Sequence, residues 1–120
     1  MSCTILLVDD HVVFREGLKA LLDAQEGMRV LGESGDGREA ASLAKELKPD
    51  IVLLDVSLPG MNGLTAAQHI KAECPEVKIL ALSMHADRRF VVGMFEAGAA
   101  GYVVKSGDFA EWRFERQVSP

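Results

Sequence analysis

The chain has 120 residues, enough for one domain that buries roughly two-thirds of its unfolded surface without staples. Its composition, 48% apolar and 26% charged, excludes a disordered chain, and a net charge of −5 with no basic stripe makes direct nucleic-acid binding a poor fit. No apolar run approaches the ~20 residues that span a bilayer, the start MSCTILLVDD lacks a basic signal region, and Cys3 and Cys74 show no metal-type spacing; a cytoplasmic protein with reduced thiols and no membrane partner is expected.

Apolar runs alternate with helical patterns along the chain. TILLV (4–8) reads as a strand that ends in Asp9-Asp10. Phe14, Leu18, Leu21 and Leu22 then share one helical face. RVLGE (29–33) is a short second strand, and Ala40, Leu43, Ala44 and Leu47 mark a second helix stopped by Pro49. IVLL (51–54) is the third strand and ends on Asp55; the turn pairs Pro59-Gly60 and Asn62-Gly63 come only later. A helix over roughly 64–73, a strand over 77–83 and a helix over about 86–97 follow, the last with Val91, Met94 and Phe95 inward and Gly98 as its cap. GYVV (101–104) is the fifth strand, and Asp108 with Glu111 forms a capping box for a short last helix. Five βα units of this kind predict an α/β fold with right-handed crossovers and a parallel sheet covered on both faces.

Strands that all run one way bring their C-terminal ends to one edge, where open α/β sheets carry their ligand sites. That edge receives Asp9 and Asp10 from the first strand, Asp55 from the third, Ser83 from the fourth and Lys105 from the fifth. Each alone is unremarkable: an acid after a strand reads as a solvated turn, Ser83 as a turn residue, Lys105 as a surface lysine. Together, carboxylates, hydroxyl and ammonium suit phosphoryl transfer, with Asp55 as nucleophile and Mg²⁺ relieving the repulsion of three acids.

LLVDDH (6–11), LLDVSLPGMNGL (53–64), ALSMH (81–85) and GAAGYVVKS (98–106) occur in an order and spacing that resemble the receiver domain of two-component response regulators, over about residues 3–107. The wording of these segments is most similar to the NarL/FixJ-type subgroup. The resemblance implies a doubly wound, flavodoxin-like (βα)5 fold with strand order 2-1-3-4-5, one receiver domain over 1–120. It implies that Asp55 accepts a phosphoryl group from a histidine kinase or phosphotransfer protein. Asp10 and Asp55 would bind Mg²⁺ directly, with Asp9 helping through water and the Ser57 backbone carbonyl as a further ligand. Ser83 and Lys105 would contact the phosphoryl group, and Tyr102 would swing inward as Ser83 moves. The readout surface would be the fourth helix, fifth strand and last helix, with phosphorylation-linked homodimers as a further partner mode.

The sequence departs from that pattern in three places. Ser57 is smaller than the polar residue relatives often carry there, and Met84 stands where many place a small residue. The segment 108–120 is short and carries Phe109, Trp112 and Phe114, an atypical last helix with no DNA-binding domain after it. Its aromatics favour a packing partner or self-association. Two other readings remain: a phosphorylation-independent scaffold, and an aspartyl-phosphate phosphatase, which Ser57 disfavours because that chemistry needs an acid two residues after the nucleophile. GESGDG (32–37) does not fit the dinucleotide fingerprint and reads as a loop before the second helix.

Overall fold

The computed structural model describes residues 3–56, 62–83 and 88–104, the side chains of 88–91 and 104 excepted. Nine elements alternate: β1 (Cys3–Val8), α1 (Val12–Asp23), β2 (Met28–Ser34), α2 (Gly37–Leu47), β3 (Ile51–Asp55), α3 (Gly63–Glu73), β4 (Lys78–Ser83), α4 (Arg88–Glu96) and β5 (Gly101–Val104). The five strands form one parallel sheet in the order β2-β1-β3-β4-β5. The expected doubly wound α/β fold is therefore observed. The expected last helix, with Phe109, Trp112 and Phe114, lies outside the described residues, as do Ser57, Pro59-Gly60, Met84 and Lys105.

The strands lack polar alternation because both faces are covered. Ile5, Leu7, Leu53 and Leu82 turn to one side and pack with Leu18 and Leu22 of α1. Leu6, Val8, Val52, Leu54 and Ala81 turn to the other, against Ala40 and Ala44 of α2, Ala66, Ala67 and Ile70 of α3, and Met94 of α4. Each large side chain so buried contributes about 1.5–3 kcal/mol. The edge strand β2 is less buried, with only Ser34 fully so.

Helix ends are set locally. The Asp36 side chain accepts from the Arg38 backbone N–H at 2.8 Å and starts α2. Asn62 does the same for α3 through the Thr65 N–H at 2.9 Å. α2 ends just before Pro49, as expected: its cap Lys48, at φ 50°, turns left-handed while its N–H still donates to the Ala44 carbonyl. Gly98, at φ 106°, closes α4 as expected, with its N–H on the Phe95 carbonyl and that of Ala99 on Met94. Met94 is buried and Phe95 half-buried, as expected; the Val91 side chain lies outside the described residues.

At the N-terminal edge of the sheet, the Asp50 carboxylate accepts from the Thr4 N–H (2.9 Å) and hydroxyl (3.1 Å), and the Asp50 N–H donates back to Thr4. This clamp fixes how β1 and β3 are aligned, and that alignment decides what meets at the other end.

Candidate functional site

In the β1–β3 register Val8 stands beside Leu54, so Asp9 and Asp55 are the next residue on each strand. Asp55 in turn is registered with Leu82, one residue short of Ser83, and Ser83 with Val104. Asp9, Asp55 and Ser83 are all nearly inaccessible, at 1%, 2% and 4% exposure. Asp10 is exposed at the mouth. The structure thus brings Asp9, Asp10 and Asp55 together and puts Ser83 at the same edge. Tyr102 is half-buried on β5, beside Ala81 and packed on the α2–α4 side of the core. Ser57 and Lys105 lie outside the described residues.

His11 joins this cluster. Ligand atoms of Asp9, Asp10, His11 and Asp55 all lie within 4.8 Å of one another. The His11 backbone N–H donates to Asp9 Oδ1 at 2.8 Å. Its ring Nδ1 is 3.3 Å from Asp9 Oδ1 and 3.8 Å from both Asp10 Oδ1 and Asp55 Oδ2. His11 lies within the LLVDDH segment, directly after two acids at a strand end, which is the only sequence signal for its place here.

Two more residues shape the crevice: Arg15, which the sequence pattern did not mark, and Gly63, which it marked only as part of a turn. Arg15, on the first turns of α1, donates through Nη1 to the Asp9 carbonyl at 2.7 Å and through Nε to Glu33 of β2 at 3.0 Å, and so straps the β1–α1 turn to the neighbouring strand. Gly63 lets α3 begin against the end of β3. A Cβ there would sit 2.5 Å from the Val56 Cα and 2.7 Å from the Asp55 carbonyl oxygen. Its N–H donates to the Val56 carbonyl at 2.9 Å.

The donor set suits a hard divalent cation. Three carboxylates converge, two of them deeply buried, with no sulfur among the clustered groups. A bound cation would offset the repulsion among these acids and the cost of burying them. Among the described residues no helix is long and apolar enough to cross a membrane.

Comparison with known proteins agrees with this geometry. Residues 5–113 match the response regulator receiver domain family. The transcriptional regulatory protein LiaR of Bacillus subtilis (strain 168) is 42% identical over 107 residues, covering 89% of this chain and 51% of LiaR. A LuxR-family two-component response regulator from Aurantimonas sp. SI85-9A1 superposes with a TM-score of 0.86 at 43% identity, over 92% of this chain and 79% of that one. The signal receiver domain of NarL from Mycobacterium tuberculosis superposes at 0.85 with 33% identity, over 92% and 89%. The chain spans about half the length of the curated relatives it matches. A parallel sheet in the order 2-1-3-4-5, an acidic notch at the ends of its first and third strands, and these matches agree: the chain belongs to the response regulator receiver domains, in the NarL/FixJ-type subgroup.

Proposed function

We propose that the chain is the phosphoacceptor switch of a two-component system, with Asp55 as the acceptor. The observation that carries this is the convergence of three carboxylates from two adjacent strand ends, one of them the buried Asp55, with the buried Ser83 at the same sheet edge. An Asp55 oxygen attacks the phosphorus of a phosphohistidine on a histidine kinase or phosphotransfer protein. The N–P bond breaks, the imidazole leaves with its electron pair, and an acyl phosphate forms on Asp55. Asp10 and Asp55 would hold Mg²⁺ directly, with Asp9 through water and the Ser57 carbonyl as a further ligand. When bound, that ion neutralises charge on the transferring group. Ser83 donates its hydroxyl, and Lys105 its ammonium, to the phosphoryl oxygens.

The switch follows from the same groups. The acyl phosphate adds negative charge and strong acceptors beside Ser83. If only one arrangement lets both donors reach them, the equilibrium shifts, with Tyr102 following Ser83 inward; coupling of about 1–3 kcal/mol is typical. The changed surface is α4, β5 and the segment after them, and it acts on transcription through a DNA-binding domain outside this chain or through a homodimer. The chemistry is self-catalysed phosphotransfer and autodephosphorylation in the cytoplasm, not turnover of a separate substrate, since Ser57 offers no acid two residues after Asp55.

Incubation with Mg²⁺ and acetyl phosphate, followed by intact-mass measurement, tests this. One phosphoryl adduct is expected, absent from Asp55→Ala. An unmodified chain under all conditions would favour the scaffold reading, and sustained phosphate release from added phosphomonoesters would favour the phosphatase.

A further inference from the structure

The backbone on both sides of Asp10 is anchored. The peptide before it is held by its carbonyl: that of Asp9 accepts from Arg15 Nη1 at 2.7 Å. The peptide after it is held by its N–H, which His11 donates to Asp9 Oδ1 at 2.8 Å. With both planes fixed, the direction of the Asp10 Cα–Cβ bond is fixed as well, because φ and ψ of Asp10 are the rotations between them. Asp9 and Asp55 are placed differently, buried and carried in by strand register. Asp10 is exposed, so hydrogen bonds rather than packing place it. Arg15 is itself anchored. Its Nε donates to Glu33 of β2 at 3.0 Å, and Lys19 Nζ stands 3.3 Å from the second Glu33 oxygen. Gly35 leaves room for the guanidinium, since a Cβ there would lie 3.1 Å from Nη1 and 3.6 Å from the Asp10 Cα. A rigid planar fork serves the carbonyl and the carboxylate at once, which a compact ammonium on a flexible stem does less well.

We propose that Arg15 is a positioning residue for this site: held by Glu33, it fixes the Asp9–Asp10 peptide and so keeps the exposed Asp10 carboxylate beside that of Asp55. The service to a bound Mg²⁺, though not the geometry, rests on the phosphoacceptor reading. Arg15 donates to a backbone oxygen and not to a reacting atom, so it acts through Asp10. Its loss therefore weakens the hold on the ion more than the transfer that follows once the ion is bound. Glu33 acts one step further out, through Arg15.

The test uses the whole chain, with MgCl₂ alone as the probe. Arg15→Met keeps the apolar stem and removes the donors. By calorimetry it should bind Mg²⁺ about tenfold more weakly than wild type, and Arg15→Lys should recover part of the loss. Acetyl-phosphate labelling of Arg15→Met should need correspondingly more Mg²⁺ and then approach the wild-type maximum. In EDTA, the Asp9 carbonyl ¹³C resonance should move in Arg15→Met while those of Thr4 and Asp50, at the far end of the strands, stay in place. Glu33→Ala leaves Arg15 and all three acids in the chain; it should weaken Mg²⁺ binding in the same direction, and the double variant should lose little beyond Arg15→Met, as residues acting in series do. Should Arg15→Met fail to fold, Glu33→Ala on the edge strand carries the test. Mg²⁺ affinity equal to wild type in the variant measured overturns the proposal. So do carbonyl shifts spread through the sheet, which would make Arg15 a general strut. Equal affinities in chains that are labelled on Asp55 would remove the role of Arg15 and leave the phosphoacceptor reading intact. Arg15-dependent Mg²⁺ binding in a chain that is never labelled would do the reverse.

Discussion

Gly63 has no chemistry, yet it controls where the acceptor sits. α3 starts so close to the end of β3 that any side chain at this position collides with backbone, which cannot swing aside as a flexible side chain would. Gly63→Ala should therefore destabilise the fold by about 1–3 kcal/mol in urea denaturation, the usual cost of forcing extra atoms into packed structure. It should also lower the yield of phosphorylated Asp55, since the Asp55 carbonyl is one of the atoms pushed. Unchanged stability and labelling would show that the strand end absorbs the added methyl group. Cys74 offers a second check at this scale. Burial pushes its thiol above the ordinary value, and the nearby carboxylates of Glu76 and Glu73 add to the effect. Less thiolate is then present at neutral pH. Iodoacetamide should modify Cys74 more slowly in the folded chain than in urea, and the folded-state rate should rise at a higher pH than the unfolded one. Equal rates would mean the thiol is open to solvent.

Among the elements, the strands were the easiest to read. ILLV and IVLL are continuous because helices cover both faces of the sheet, and a fully buried strand has no polar side to interrupt its pattern. Helix limits were harder, because they rest on single hydrogen bonds rather than on periodicity. α2 starts at a carboxylate cap and ends at a left-handed lysine immediately before Pro49, the residue the sequence marked as its stop. The acids were legible as strand-end residues and Gly63 as a turn; the close packing at Gly63, the Arg15 strap and the approach of His11 to Asp55 were not, since they depend on elements that lie far apart in sequence. The Asp36 cap can be tested through pH. Hydrogen bonds from the Arg38 side chain, and then from its backbone N–H, hold the Asp36 carboxyl below the usual carboxylate range. A lowered folded-state value stabilises the fold once the group is ionised in the unfolded chain as well. That contribution is complete at neutral pH and fades as pH falls through the ordinary carboxylate value toward the lower one. Asp36→Ala should thus melt earlier than wild type at pH 7, and the gap should narrow on acidification below pH ~4. A gap independent of pH would assign the loss to backbone preference and not to the charged cap.

Over the whole molecule, the sheet gathers three carboxylates at one edge. The Thr4–Asp50 clamp at one end and the apolar register above it carry Asp9 and Asp55 side by side into a buried position. A core of leucines, valines and alanines holds them there, and like charges brought this close repel. Two opposite effects on stability follow from this arrangement. In EDTA, Asp55→Asn should melt at a higher temperature than wild type, because one of three mutually repelling charges is gone while the shape is kept. With Mg²⁺ the order should reverse. An ion bound only by the folded state at about 100 times its dissociation constant adds about 2.7 kcal/mol. For a domain of this size that is a rise of roughly 10 °C. Wild type should gain that increment and Asp55→Asn most of it less, since it has lost a ligand carboxylate. NaCl at matched ionic strength separates site binding from general screening. If Asp55→Asn is no more stable than wild type in EDTA, the three acids are already compensated within the protein. If wild type also fails to respond to Mg²⁺ beyond the NaCl control, the cluster is not a cation site, and the positioning of Asp55 needs another explanation.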